Sequence, residues 1–218
     1  MSHESGKNAA CELIVVRHGE TTWNALGKQQ GQLDSPLSPL GIRQAEAIAA
    51  RLADEEFDFL YSSDLLRAHS TSERIAAATG HDIIPEPGLR ERHLGIFQTL
   101  TMQEVRKRYP EDYARFESGD PDYVIPQGES ARQRHDRAVA AVAAIAARHP
   151  AGRVVIVTHG GILQSLFRRA VGIPLEAPRA FKLYNASLNT FFIDSVSWTL
   201  GTWGDIFHLR DLGTMDDF

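Results

Sequence analysis

The chain has 218 residues, 43% of them hydrophobic and 23% charged, with a formal net charge of −5, a size that one hydrophobic core can serve. No apolar run approaches the roughly 18 residues of a membrane span, and a negative balance argues against nonspecific nucleic-acid binding, which needs a basic face. The single cysteine, Cys11, excludes an internal disulfide framework and any multi-cysteine metal site, and fits a reducing, cytoplasmic setting without membrane or nucleic-acid partners.

Met1 to Ala10 are polar and lack the apolar centre of a signal peptide, so residues 1–10 read as a disordered leader and 11–218 as one domain. Cys11 precedes the first strand signal, Leu13-Ile14-Val15-Val16, which runs directly into Arg17-His18-Gly19-Glu20. Strand tips of open α/β sheets face the crevice where ligands bind. A neutral imidazole there is a nucleophile, a neighbouring cation disfavours its protonation, and the Arg17 guanidinium matches phosphate oxygens in shape and charge. One histidine after a strand is more often a packing residue, so the remaining segments must decide.

A loop rich in Gly and Gln runs to Ser38, and Ile42, Ala45, Ala49 and Leu52 then repeat at helical spacing over 39–54, with Ser38-Pro39 as its start. Phe57 to Tyr61 reads as a short strand, and Ser62-Ser63 hands over to a helix from Asp64 to Ala78 closed by Gly80, with Arg67 in its first turn. A brief strand at Asp82 to Ile84 leads into the ionisable loop Leu89-Arg90-Glu91-Arg92-His93. Thr101 and Glu104 have capping-box spacing, and Pro110 opens a further helix towards Gly119, so about 96–127 reads as an insertion over the site. Ser130 and Gln133 cap a long helix to His149, before the second strong strand, Val154 to Val157, which ends in Thr158-His159-Gly160-Gly161. A helix over 161–171 follows, and Leu188 to Ile193 and Trp198 to Trp203 read as antiparallel strands at the sheet edge. That exposed hairpin is the feature pointing to a homodimer.

With both strand-His-Gly junctions, Ser62-Ser63-Asp64-Leu65-Leu66-Arg67-Ala68 and Leu89-Arg90-Glu91-Arg92 in view, the chain resembles the histidine phosphatase superfamily, in its phosphoglycerate-mutase-like branch, from about Cys11 to Asp205. The resemblance implies a three-layer α/β/α fold: a mostly parallel central sheet, antiparallel strands at its edge and a small helical insertion over the active site. It also implies that His18 accepts the phosphoryl group, that Arg17, Arg67 and His159 surround the phosphoryl oxygens, and that Glu91 donates and then accepts the proton. Asn24, Gln30, Gly31 and Gly160 are further substrate contacts by the same carry-over. Three cationic groups can supply the charge stabilisation of phosphoryl transfer, so no cofactor and no metal is expected. Taken singly, Glu91 can pair with Arg90 or Arg92 at the surface, His159 can be a core histidine, and Arg67 a helix-surface cation. His18, His159 and Glu91 also make a two-His, one-carboxylate set, but fixed cations such as Arg17 and Arg67 repel a divalent ion.

Within the family, mutases return the phosphoryl group to a sugar acid and phosphatases give it to water. This chain has Leu94 and Met102 where similar mutases have Tyr and Lys, Gly161-Ile162 where they have Asn-Ser, and a shorter insertion. These departures favour a metal-independent phosphomonoesterase acting on a small-molecule phosphomonoester; a cofactor-dependent phosphoglycerate mutase and a noncatalytic phosphate-binding protein are the alternatives. Lys28 stands where the family often has Arg, and Thr99 where Gly is usual. Phe97, Met102, Tyr109, Tyr113, Phe116 and Tyr123 predict a partly apolar cover, with Arg106, Lys107 and Arg108 as candidates for a second anionic group.

Overall fold

Alternate residues of the first strand bury on opposite sides, Leu13 and Val15 in one apolar cluster and Ile14 and Val16 in another, which is why the run is continuously hydrophobic instead of alternating with polar residues. The computed structural model describes residues 10–212, so the predicted leader falls, except for Ala10, outside the described residues. The strands are β1 (Cys11–Arg17), β2 (Phe59–Ser62), β3 (Ile83–Pro85), β4 (Arg153–Thr158), β5 (Leu188–Ile193) and β6 (Trp198–Leu200). They form one sheet in the order β3-β2-β4-β1-β5-β6. The first four are parallel, β5 runs antiparallel to β1, and β6 antiparallel to β5. The fold is α/β, as expected.

Seven α-helices occur among the described residues: α1 (Thr22–Ala25), α2 (Pro39–Ala53), α3 (Leu66–Thr79), α4 (Met102–Arg108), α5 (Pro110–Glu117), α6 (Ala131–Arg148) and α7 (Gly160–Val171). On one sheet face, α6 and α7 bury Val142, Ile145, Ile162 and Leu166 against Leu13, Val15 and Ile156. On the other, α2 and α3 bury Ile48, Leu52 and Ile75 against Val16, Leu60 and Val157. A third cluster, Phe97, Leu100, Val105, Tyr123 and Ile125, holds α4 and its flanking loops together. No described helix is long and apolar enough to cross a membrane.

Local chemistry sets the element ends. Ser38 Oγ accepts a hydrogen bond from the Gly41 amide at 3.0 Å and donates to Glu20 Oε1 at 2.6 Å, so one hydroxyl caps α2 and ties it to the loop after β1. The capping boxes at Thr101/Glu104 and Ser130/Gln133 both form, and Gly80 closes α3 at φ 78°, in the left-handed region where glycine has no Cβ penalty.

Most boundaries fall within one or two residues of the sequence reading, and four differences have a local cause or bear on the site. Cys11 is the first residue of β1 and pairs with Ile193. The helix carrying Arg67 starts at Leu66, two residues after Asp64, because Ser63 Oγ takes the Leu65 amide in a turn. Helix α1 interrupts the expected loop; its capping box uses Thr21 with Asn24 instead of a Glu or Gln. The last strand ends at Leu200, where Gly201 and Thr202 both bond to Thr190, a bulge that interrupts regular pairing.

Replacing Ser38 by Ala removes the α2 cap and the Glu20 tether together. A denaturant melt is expected to show a loss of about 1 to 2 kcal/mol; an unchanged midpoint would deny the cap that role.

Candidate active site

The sheet register assembles the site. Arg17 at the end of β1 pairs with Thr158 at the end of β4, and the His18 amide donates to the Thr158 carbonyl at 2.9 Å. The next residues on the two strands are therefore His18 and His159, whose ring centroids lie 5.2 Å apart. On the other side of β4, Ser62 pairs with Val157, which brings Ser63 Oγ to 2.8 Å from His159 Nε2. Helix α3 begins just beyond and delivers Arg67 from its first turn.

His18 Nδ1 lies 2.7 Å from the Gly19 carbonyl oxygen. A carbonyl only accepts, so Nδ1 carries the proton and Nε2 keeps its lone pair. Burial holds the His18 pKa well below its ordinary 6.5, and the charges of Arg67 and Arg17 add to that. His159 is shifted the same way, first by burial and then by Arg67. Both imidazoles are neutral at physiological pH.

Arg17 and Arg67 are each 1% exposed. Arg17 Nη1 donates to the Leu183 carbonyl at 2.5 Å. Arg67 is held from above by the loop after α1: Nη2 donates to the Gly31 carbonyl at 2.7 Å, and Nη1 to the Leu33 carbonyl at 3.1 Å and Asp34 Oδ1 at 3.3 Å. Burial lowers its pKa to about 10, which leaves it charged. Its Nε is buried without a hydrogen-bond partner, an uncompensated donor of the kind that an anion satisfies.

Glu91 reaches the same place from the opposite side. Its Oε2 accepts from the Gly161 amide at 2.8 Å, in the first turn of α7, and its Oε1 from the Arg92 amide at 2.7 Å. It is not a surface partner of its neighbours: Arg90 pairs with Asp64, at 2.5 Å and 2.7 Å, and Arg92 bonds to the Glu129 and Tyr123 carbonyls. The close approach needs glycine at 161, where a Cβ would stand 2.1 Å from Glu91 Oε1.

Arg17, His18, Asn24, Gln30, Gly31, Arg67, Glu91 and Gly160 all line one cavity of about 760 Å³. His159 is wholly buried and not part of that lining; its ring stands tilted beside that of His18, with Nδ1 lacking a partner. Asn24 Oδ1 accepts from the Thr21 amide at 3.0 Å, and Gln30 Oε1 from Ser35 Oγ at 3.3 Å. Gly31 adopts φ 57°, and a Cβ there would meet Gln98 Oε1 at 2.4 Å. Among the described residues, no three His, Cys, Asp or Glu side chains form a group able to hold a metal ion.

The cover is partly apolar: Met102, Phe116 and Tyr123 line the cavity, as does Leu94. The predicted cations Arg106, Lys107 and Arg108 do not; they are exposed on α4, whose inward residue is Val105. Besides Arg17 and Arg67, the buried cations that line it are Arg92, Arg134 and Arg168; the sequence offers Arg92 only as a surface partner of Glu91 and does not bring Arg134 or Arg168 forward. A signal existed for one of them, since Arg134 stands on the buried stripe of α6 with Ala138, Val142 and Ile145, where an apolar residue is the ordinary choice. Near the site, Thr99 holds φ 73°, a strained conformation for a β-branched residue and one that the usual glycine adopts freely.

A family model described as histidine phosphatase superfamily, branch 1, matches residues 13–206. Phosphoglycerate mutase-like protein 4 of Arabidopsis thaliana is 44% identical over 206 residues, 93% of this chain and 88% of that protein. A metal-independent phosphoserine phosphatase of the same plant is 43% identical over 205 residues, 93% and 84% of the two chains. Among solved structures, a mycobacterial glucosyl-3-phosphoglycerate phosphatase matches with a TM-score of 0.80 at 32% identity, covering 89% of this chain and 99% of that one.

The depressed histidines set a pH dependence. Unfolded, each takes a proton near 6.5; folded, each takes it only at lower pH. The unfolded state thus binds more protons below about pH 6.5, and stability falls as pH drops through that value. NMR of the ring nitrogens is expected to keep both imidazoles neutral at pH 6; a midpoint at or above 6.5 for either would contradict the buried, neutral pair.

Proposed function

The chain belongs to the histidine phosphatase superfamily, and we propose that it is a metal-independent phosphomonoesterase in which His18 takes the phosphoryl group before water does. The observation that carries this reading is the His18 tautomer. With Nδ1–H donated to the Gly19 carbonyl, the Nε2 lone pair is the reactive one, and Arg17 and Arg67 stand beside the ring.

In the first step, His18 Nε2 bonds to phosphorus as the ester P–O bond breaks. The departing oxygen takes a proton from Glu91, and the Gly19 carbonyl steadies the ring as it becomes cationic. Arg17 and Arg67 neutralise the three phosphoryl oxygens, joined by Asn24, Gln30, Gly31 and the α7 N-terminus at Gly160, while His159, buried beside His18, supports that ring. In the second step, water loses a proton to Glu91 and bonds to phosphorus, the P–N bond breaks, and orthophosphate leaves His18 as it began.

Hydrolysis is favoured over return of the phosphoryl group by the cavity wall. Leu94 and Met102 line it in place of the Tyr and Lys of similar mutases, and Gly161 lets Glu91 dock on the α7 amide where a larger residue would displace it. The relatives include one named as a phosphoserine phosphatase and one as mutase-like, so the same machinery is compatible with both outcomes. The reading includes a cytoplasmic enzyme without nucleic-acid or membrane partners, dimerising through β6, which ends the sheet.

Alkaline quench during rapid turnover is expected to trap phosphate on the wild-type chain and none on His18→Ala. Glu91→Gln is expected to lower turnover by about 10²- to 10⁴-fold, more for alkyl esters than for aryl esters whose leaving groups need no proton. EDTA is expected to change neither. Fast isomerisation of 3-phosphoglycerate with 2,3-bisphosphoglycerate and no free phosphate would reject hydrolysis; chelator-sensitive turnover would reject metal independence.

A further inference from the structure

Most buried guanidinium groups bond to carboxylates or carbonyls, because an unpaired buried charge is costly. Arg134 departs from this. It is only 7% exposed, yet its single hydrogen bond runs from Nε to Ser165 Oγ at 3.3 Å, and neither terminal nitrogen has a partner among the described residues. Those nitrogens are not sealed in the core either, since Arg134 lines the cavity. Arg92 lies beside it, 8% exposed, with Nε on the Glu129 carbonyl and Nη2 on the Tyr123 carbonyl, leaving Nη1 likewise without a protein acceptor. The Arg134 charge adds to burial in lowering the Arg92 pKa, to about 10, while Glu91 and Glu129 act in the opposite direction.

The position of Arg134 is fixed relative to the proposed acid. Ser165 Oγ, which receives its Nε, donates in turn to the Gly161 carbonyl at 3.1 Å, and the Gly161 amide holds Glu91. Arg134 is therefore on the Glu91 side of the cavity, where the leaving alcohol departs. Arg168, the third buried cation, is otherwise engaged: it binds the Pro174 and Ala177 carbonyls and so secures the loop that closes this end of the cavity.

We propose that Arg134, with Arg92 beside it, is a specificity-determining subsite for a second anionic group carried by the leaving alcohol, so that the preferred substrate is a phosphomonoester of a carboxylated or second-phosphate-bearing alcohol. The inference rests on the hydrolytic reading for which end of the substrate meets Arg134. Its physical basis does not: the Glu91 and Glu129 carboxylates offset part of the two charges but accept no hydrogen bond from the Arg134 or Arg92 guanidinium, so the open donors of these two adjacent buried groups still favour an anion between them. The apolar contacts from Met102, Phe116 and Tyr123 then enclose the carbon skeleton between the two anions.

The test compares esters that share an alkyl phosphate and differ in the second group: 3-phosphoglycerate for carboxylate, 1,3-propanediol bisphosphate for phosphate, and propyl phosphate for neither. Wild type is expected to prefer one or both anionic esters in kcat/KM by about 10- to 100-fold, the range of a hydrogen bond to a charged group. In Arg134→Gln that preference is expected to collapse towards unity through KM, with partial recovery in Arg134→Lys; near-native circular dichroism and melting temperature identify folded variants. Which anionic ester is preferred separates carboxylate from phosphate recognition. A wild type without preference, or a folded Arg134→Gln that keeps it, overturns the proposal. Equilibrium binding of the same three compounds to His18→Ala separates the two readings. Arg134-dependent preference for the anionic compounds without hydrolysis by wild type sinks the phosphatase and leaves the subsite standing. Hydrolysis with equal binding of all three does the reverse.

Discussion

The side-by-side pairing of Arg17 with Thr158 is the constraint on which the rest depends. Parallel strands end at the same level only when their register puts them there, and here it leaves His18 and His159 as the first residues beyond two neighbouring strands. A slip of one residue between β1 and β4 would also exchange the buried faces of β1, moving Leu13 and Val15 out of the α6/α7 layer. The apolar layers that stabilise the sheet therefore also hold the two imidazoles in place, and packing and chemistry answer to the same hydrogen-bond ladder.

Around that pair the protein concentrates positive charge where water is excluded. Arg17, Arg67, Arg92 and Arg134 are all nearly inaccessible, and the histidines among them stay neutral because burial and the surrounding cations both oppose a further charge. Such an arrangement works against folding on its own, since desolvated guanidinium groups regain their lost hydration only through partners. Backbone carbonyls supply part of the compensation: Gly31 and Leu33 for Arg67, Leu183 for Arg17, Glu129 and Tyr123 for Arg92. These acceptors orient the donors without neutralising them, so the field stays available to an anion.

Backbone geometry matters as much as side-chain identity at three points. Gly31 lets its carbonyl face Arg67 while the chain passes Gln98, Gly161 allows a carboxylate to dock on an amide, and Thr99 accepts a left-handed conformation beside the cavity. Residues in such positions resist substitution for reasons that no contact count of their own side chains reveals, because the conformation or the close approach is the function.

By itself the sequence determined the alternation of strands and helices, the capped starts of α2, α4 and α6, and the two strand-His-Gly junctions, because periodicity, capping chemistry and strand-end motifs are written in neighbouring residues. It also brought His18, Arg67, Glu91 and His159 forward as one set, although they come from four separate segments, because each lies in a local pattern specific enough to recognise. Only the tertiary structure decided which nitrogen of His18 is free, that His159 is wholly buried and outside the cavity lining, and that Glu91 docks on the amides of Gly161 and Arg92 and not on the guanidinium groups of Arg90 or Arg92. It likewise moved the second cationic group from Arg106, Lys107 and Arg108 on exposed α4 to Arg92 and Arg134. The physical reason is the same in each case: hydrogen-bond partners and desolvation are set by segments far apart in the chain, and a charge on a helix is a solvated surface group or a buried donor according to what packs against it.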